Sequence, residues 1–314
     1  MRNIFLLSKE NIELAKQEAL ALAKGRDYEL FENLLFIDTD IDLHKRLAFS
    51  HSVFRFLFRC KLSELIKQIK NYDWDSIYKE NFCVRVHGGV DERKIADNIW
   101  KSLEKPRVNL NNPKTKIEFF ILNGKAVCGI FLRDVDKSFL KRKAHLRPEL
   151  LPTSLNPRLA RACINLTGIM KGVLLDPFCG SGGILIEAAL MGYKVIGYDI
   201  SDYILKKCKT NLEFYKIRSF RLEKKDGTQL NQKSDAIVTD LPYGKGSKLS
   251  KEREKLYADF LKSSYKTTER MVVIFPNYAD FSKVIKKSKW KLKKEFSVYI
   301  HRSLTRKVCV LRKS

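Results

Sequence analysis

Val173-Leu174-Leu175-Asp176-Pro177-Phe178-Cys179-Gly180-Ser181-Gly182-Gly183 reads as a short apolar strand ending in an acid and running into a glycine turn. Gly183 to Met191 then reads as a helix, Lys194 to Asp199 as a second strand, Asp202 to Phe214 as a second helix and Ala236 to Asp240 as a third strand. A helix over Leu155 to Leu166 leads into this unit. Met271 to Phe275, a short helix near Phe281, and the runs Phe296 to Ile300 and Lys307 to Leu311 follow it. Strand, helix, strand in this order predicts an α/β, Rossmann-like domain with a parallel sheet, whose ligands sit beyond the carboxyl ends of the strands.

The turn narrows the choice of ligand. Gly180 and Gly182 are followed by Leu185 where a dinucleotide fingerprint needs its third glycine, and no Gly-Lys-Ser/Thr follows as a phosphate loop demands. Nicotinamide and ATP cofactors are therefore disfavoured. What remains is Asp176 at a strand end, a turn permitting close backbone approach, and a helix start with free N-H groups for a carboxylate, which suits the methionine end of S-adenosylmethionine. Asp176, Phe178, Gly180 and Gly182 are the candidate donor contacts here. Asp199, closing the next strand, stands where such folds accept hydrogen bonds from ribose hydroxyls. Asp226, in Lys225-Asp226-Gly227, is expected at the following strand end, either accepting from the adenine amine or serving only as an Asp-Gly turn residue.

Thr239-Asp240-Leu241-Pro242-Tyr243-Gly244 indicates the reaction. An exocyclic amine of a base has its lone pair delocalised into the ring. The Asp240 carboxylate and the Pro242 carbonyl can accept its two N-H bonds and turn the lone pair toward the methyl group, while Tyr243 stacks on the base, a contact worth ~1 to 3 kcal/mol. Asp240, Pro242 and Tyr243 are the candidate catalytic residues. A carbon-methylating enzyme would want a nucleophilic cysteine beside the proline, where Tyr243 stands, and Cys179 reads as a packing residue. The chemistry needs an unpaired or flipped nucleotide.

Upstream, Asn3 to Leu132 mixes short strands with helices: a strand over Asn3 to Leu7, helices over Glu10 to Lys24 and Asp91 to Leu103, a strand over Phe82 to His87, and a hairpin over Lys116 to Leu132 turning at Asn123-Gly124. This α+β half reads as a binding module. Between Arg133 and Arg161, eight basic residues accompany Pro148, Pro152 and Pro157, which predicts an extended connector that either faces a phosphate backbone or is simply solvated. From Lys283 onward, twelve Lys and Arg face the single acid Glu295, and phosphate contact is the favoured use of some of them. Across 314 residues, 61 Lys and Arg against 36 Asp and Glu leave +25, which points to a polyanionic partner. Seven scattered cysteines and five histidines show no metal-ligand spacing, and no apolar run approaches a membrane span. The expectation is a soluble, cytoplasmic protein in a reducing compartment, with no membrane contact and no metal requirement.

Asp176 to Glu187, Asp240 to Gly244, and Arg147-Pro148 through Ser154-Leu155-Asn156-Pro157-Arg158-Leu159-Ala160-Arg161 together resemble the THUMP-domain RNA methyltransferases, most closely the archaeal tRNA guanine-10 N2-methyltransferases. The match is close over the catalytic half and an outline elsewhere. It implies a ferredoxin-like region over residues 1–60, a THUMP domain that grips tRNA over 61–135, a basic linker over 136–154 and a class I methyltransferase domain over 155–314, acting on the guanosine amine of tRNA. Leu241 departs from the commoner two-proline form, but the second proline supplies the carbonyl, so amine chemistry is expected to survive. The competing readings are an N2-guanine methyltransferase acting on another tRNA position or on ribosomal RNA, a DNA amino-methyltransferase, and an inactive RNA-binding protein.

Overall fold

A computed structural model of the chain describes residues 1–24, 27–243 and 247–313. It forms two compact units. One comprises residues 1–9, 23–44 and 50–135; the other comprises 10–22, 45–49 and 136–314.

The first unit is built on one seven-stranded sheet. Its strands are β1 (Arg2–Leu7), β2 (Tyr28–Phe31), β3 (Leu34–Asp38), β4 (Ser50–Lys61), β5 (Phe82–His87), β6 (Thr115–Leu122) and β7 (Lys125–Asp134), in the order β2-β3-β1-β4-β7-β6-β5. The β6–β7 hairpin turns at Asn123-Gly124 with both residues at positive φ, 47° and 68°, the conformation this dipeptide accommodates best. Between β1 and β2 the chain forms α1 (Ile12–Ala23). Helices α2 (Leu65–Asn71) and α3 (Glu92–Trp100) bury Leu65, Ile69, Ile95 and Ile99 around Trp74. The Asp91 carboxylate caps α3 by accepting from Arg93 N.

The second unit carries the parallel sheet. Its strands are β8 (Val173–Asp176), β9 (Lys194–Asp199), β10 (Phe220–Lys224), β11 (Ala236–Asp240), β12 (Arg270–Pro276), β13 (Lys291–His301) and β14 (Leu304–Arg312), ordered β10-β9-β8-β11-β12-β14-β13. β10 through β12 run parallel, and β14 returns antiparallel to β12. The order reverses between β8 and β11, the crevice where open α/β sheets bind ligands. Met271 to Phe275 are fully buried, as the central strand of a sheet covered on both faces requires. Around the sheet lie α4 (Pro157–Leu166), α5 (Gly183–Leu190), α6 (Asp202–Phe214), α7 (Ser247–Ser264) and α8 (Phe281–Lys287). Asn156 caps α4, with Pro157 at its first position.

Most of α1 belongs to this second unit. Its Glu18 is fully buried and accepts hydrogen bonds from Ala48 N (2.8 Å), Phe49 N (2.9 Å) and Asn165 Nδ2 (2.7 Å). Burial outweighs those bonds and raises its carboxyl above the usual range.

The connector differs from the sequence expectation. It is compacted into two short 3-10 turns, Ser138–Arg142 and Ala144–Leu146, and three of its five arginines turn inward. Arg142 makes a two-pronged contact with Glu187, Nε to Oε1 at 2.6 Å and Nη2 to Oε2 at 2.9 Å, and Arg161 lies 3.8 Å from the same carboxylate. Arg147 donates from Nε to the Arg142 carbonyl. All three guanidiniums are buried, so none is free for a phosphate backbone. Glu187 inside α5 is the shared partner of Arg142 and Arg161, since buried guanidiniums need a counter-charge beside them.

Candidate active site

Asp176, Asp199 and Asp240 close the parallel strands β8, β9 and β11, and Asp226 follows β10 by two residues. Parallel pairing gathers the strand ends on one side of the sheet, with Asp176 level with Gly197, two residues below Asp199, so these acids, far apart in sequence, open onto one cavity of about 550 Å³. Asp240, Pro242, Tyr243, Asp176, Phe178, Gly180, Asp199 and Asp226 all line it, together with Thr153, Ser154, Ile200 and Gly227. Gly182 does not line it. That residue is the N-cap of α5 at φ 88°, and a Cβ there would lie 2.8 Å from Cys208 Sγ, so its glycine serves the turn and the packing beneath. Gly244 lies outside the described residues.

The glycine turn leaves donors free. Gly180 has φ 51°, and a Cβ there would meet only Leu151 Cδ2 at 3.4 Å, so its backbone faces open space. Gly182 offers α5 no side-chain cap, which leaves the first N-H groups of the helix for an anionic group. Opposite, Gly227 fits so closely that a Cβ would lie 2.5 Å from the Pro177 carbonyl and 2.7 Å from Phe178 Cζ. Phe178 is braced edge-on by Phe260 of α7. Ile200, directly after Asp199, is 72% exposed at the cavity wall, an apolar face suited to a flat ring.

The acids are not alike. Asp176 is buried and accepts from Thr239 Oγ1 at 2.7 Å and Phe178 N at 3.2 Å; burial nevertheless raises its carboxyl to about 7, with Asp240 and Asp199 adding like charge. Asp199 accepts from Ser201 N at 3.0 Å. Asp226 is exposed and holds its own turn through Thr228 N and Oγ1, both at 2.8 Å, so it is a turn residue and a cavity residue at once.

Both acceptors expected for the amine already carry a protein donor. Asp240 Oδ2 lies 3.1 Å from Arg306 Nη2, its Oδ1 accepts from the Tyr243 hydroxyl, and the Pro242 carbonyl accepts from the Tyr257 hydroxyl at 2.9 Å. Burial pushes Asp240 up to about 6 against the opposing pull of Arg306 and Tyr243. One bond per oxygen leaves acceptor capacity, since a carboxylate offers about four lone-pair sites and a carbonyl two. Tyr243 is half-buried, and its hydroxyl, shared between Asp240 and Arg306 Nε (2.8 Å), fixes the orientation of the ring. Leu241 is buried, and its N-H bonds the Ile274 carbonyl at 3.1 Å, a bond a proline could not make.

Sequence reasoning missed Arg306, Tyr257, Ile200 and the wall at Thr153 and Ser154. Arg306 arrives only because β14 pairs with β12, placing it opposite Pro276 while Ile274 faces Asp240. It also reaches the Thr153 carbonyl at 3.2 Å, stapling that wall to the Asp240 loop. Cys179 is buried, as expected of a packing residue. Among the described residues, no group of His, Cys, Asp and Glu could hold a metal ion, and no helix is long and apolar enough to cross a membrane.

A sequence family described as RMKL-like, methyltransferase domain, matches residues 144–306, and one described as DNA methylase matches residues 3–210. The chain is 33% identical to the tRNA (guanine(10)-N2)-dimethyltransferase of Methanothermobacter thermautotrophicus, covering 99% of each, and 34% identical to that of Pyrococcus abyssi, covering 94% of each. In fold it is similar to the crystal structure of TrmN from Thermus thermophilus, with a TM-score of 0.52, 20% identity and full coverage of both chains.

Proposed function

The chain belongs to the family of tRNA (guanine-N2) methyltransferases with an RMKL-like catalytic domain, and from that premise we propose that it methylates the exocyclic N2 amine of a guanosine in tRNA, at position 10. The observation that carries the reading is one cavity shared by two groups of residues. Asp240, Pro242 and Tyr243 suit a base amine, and Asp176, Gly180, Asp199 and Asp226 suit an adenosyl amino acid.

The residues fit S-adenosylmethionine: a turn open at Gly180, uncapped N-H groups at the start of α5, acids at successive strand ends, and the apolar faces of Phe178 and Ile200. Asp199 would accept from the ribose hydroxyls, Asp226 from the adenine amine, and the turn would hold the amino-acid end beside Asp176. When bound, this donor supplies a methyl group on a sulfonium centre, open to displacement by a nitrogen lone pair. Asp240 and the Pro242 carbonyl accept the two N-H bonds of the amine and hold its lone pair out of the ring plane. Tyr243 backs the base. A carboxylate of pKa about 6 can also take the proton that the methylated nitrogen sheds.

The binding role of the N-terminal half follows the same premise, with residues 1–60 as the ferredoxin-like region, 61–135 as the THUMP domain, 136–154 as the linker and 155–314 as the catalytic domain. The decisive experiment is incubation of the protein with unmodified tRNA and labelled donor, followed by nucleoside mapping. Label at N2 of guanosine 10 is expected; unlabelled tRNA refutes the assignment. The DNA methylase match favours a second reading, although it ends at residue 210, thirty positions before Asp240. A parallel incubation with duplex DNA separates the two, and label there in place of tRNA would reverse the preference.

A further inference from the structure

Helix α7 has two working faces. Leu256 lines the active-site cavity, and the neighbouring Tyr257 holds the Pro242 carbonyl. On the other side, α7 and α8 form a separate groove of about 700 Å³ with Ala258, Leu261 and Val284 in its lining. Lys255, Lys262, Lys266, Lys283, Lys287 and Lys289 rim this groove, against the two carboxylates of Glu254 and Asp259. Helical spacing aligns four of them: Lys255 and Lys262 stand seven residues apart on α7, and Lys283 and Lys287 four apart on α8, while Lys266 lies in the turn just past the end of α7. All six are exposed, and among the described residues none takes part in an ion pair, unlike Lys207, Lys224 and Lys307 of the same unit.

We propose that this groove is a second docking surface of the catalytic unit, which takes the ribose-phosphate backbone of the tRNA substrate. Six ammonium groups gathered around a concave surface with only two carboxylates, none of them in an ion pair among the described residues, repel one another and hold a layer of counterions. A polyanion that displaces those counterions gains affinity with each contact. A neutral or cationic partner gains nothing there. Position supports the same occupant: α7 is about 10–12 Å across with its side chains, so a strand held by the rim passes within a few nucleotides of the cavity, at roughly 3.4 Å of axis per charge along one strand. The groove would thus hold the backbone flanking the nucleotide that enters beside Asp240. This rests on the tRNA reading above and adds to it a place where the catalytic unit grips its substrate.

The test uses the full-length protein with Lys262→Glu, Lys283→Glu and Lys287→Glu combined, and unmodified tRNA titrated at several salt concentrations. The groove variant should bind tRNA at least tenfold more weakly. Its slope of log Kd against log salt should shrink by about 2 to 3, near one per lost contact. Donor affinity should not change. Lys206→Glu, Lys209→Glu and Arg218→Glu, on and just after α6 at the β10 end of the sheet, make an equal charge change as the control and should cost much less. Unaltered affinity and slope in the groove variant, the result expected of a seat for an acidic protein, overturns the proposal, and so does an equal loss in the control. Wild-type protein that binds tRNA yet transfers no methyl to it overturns the functional reading instead, so the two failures are told apart.

Discussion

Arg306 Nη2 lies 3.1 Å from Asp240 Oδ2, and Arg306 Nε donates to the same Tyr243 hydroxyl that donates to Asp240 Oδ1. The three side chains close a triangle at the cavity wall. Its charge balance is narrow: burial lifts the Asp240 carboxyl to about 6, and Arg306 is the largest influence opposing that rise. At neutral pH the carboxylate is ionised, and mild acid neutralises it.

Methyl transfer should therefore fall as pH drops through about 6. Arg306→Gln removes the cation that lowers the Asp240 pKa, so the acid limb of the kcat/KM profile should move to higher pH, with a loss of about tenfold or more at pH 7. Arg306→Lys should restore part of the profile. A limb that stays in place in the Gln variant would show that Arg306 does not set the charge of Asp240.

Asp240→Asn is the sharper test of the amine contact. The amide keeps an oxygen for Tyr243 or Arg306 but loses the charge, and kcat should drop by about a hundredfold or more, with donor affinity, measured by calorimetry, within about threefold of wild type. Asp240→Ala should also abolish transfer, but it leaves the Arg306 cation buried and unpaired at a cost of about 3–5 kcal/mol, so its inactivity alone says less.

Gly227→Ala drives a Cβ to 2.5 Å from the Pro177 carbonyl and 2.7 Å from Phe178 Cζ. The turn must widen where Asp226 and Phe178 face the cavity. Donor Kd should rise about tenfold, roughly the 1.4 kcal/mol of a modest overpacking strain, whereas tRNA binding without donor should be unchanged.

Asp176 carries a pH signature in stability. Its folded pKa, about 7, lies above the ordinary 3.8, so the native state holds the proton more tightly, and ionisation destabilises it as pH rises through that interval. Asp176→Asn keeps an oxygen to accept from Thr239 and Phe178 without the charge. It should be more stable than wild type at pH 8, by on the order of 2 kcal/mol, with the advantage shrinking toward pH 4. Denaturant melts at the two pH values check the sign.

Glu187→Ala should cost about 3–5 kcal/mol, because it leaves the buried Arg142 and Arg161 without their shared acid. A fall in denaturation midpoint with an unchanged KM for tRNA is expected, since those arginines face inward. A raised KM at unchanged stability would restore the connector as an RNA contact.

The parts of the fold that rest on local chemistry were readable from the sequence: the Asn123-Gly124 turn, the strand-end acids and the buried run Met271 to Phe275. Those set by pairing were not. β4 holds Phe54, Phe56 and Phe58, yet register shifts at Val53/Phe54 and Phe56/Phe58 break the alternation that marks a strand. β10 is an edge strand with no fully buried residue, so nothing apolar announces it. At the site the same division holds. The eight cavity-lining candidates came from two motifs and two strand ends, whereas Arg306 and Tyr257 come from β14 and α7, and no spacing ties them to Asp240.

Helix α1 has a temporal consequence. Glu18 and its partner Asn165 stand 147 residues apart, so at ribosomal rates of about 5–20 residues per second the nascent chain carries that acid for roughly 7 to 30 seconds before the amide is synthesised. During that interval α1 has no permanent mate, and the catalytic half can finish assembling only after translation has passed well beyond it. A gene split between the halves would put the helix and the body it completes on separate chains.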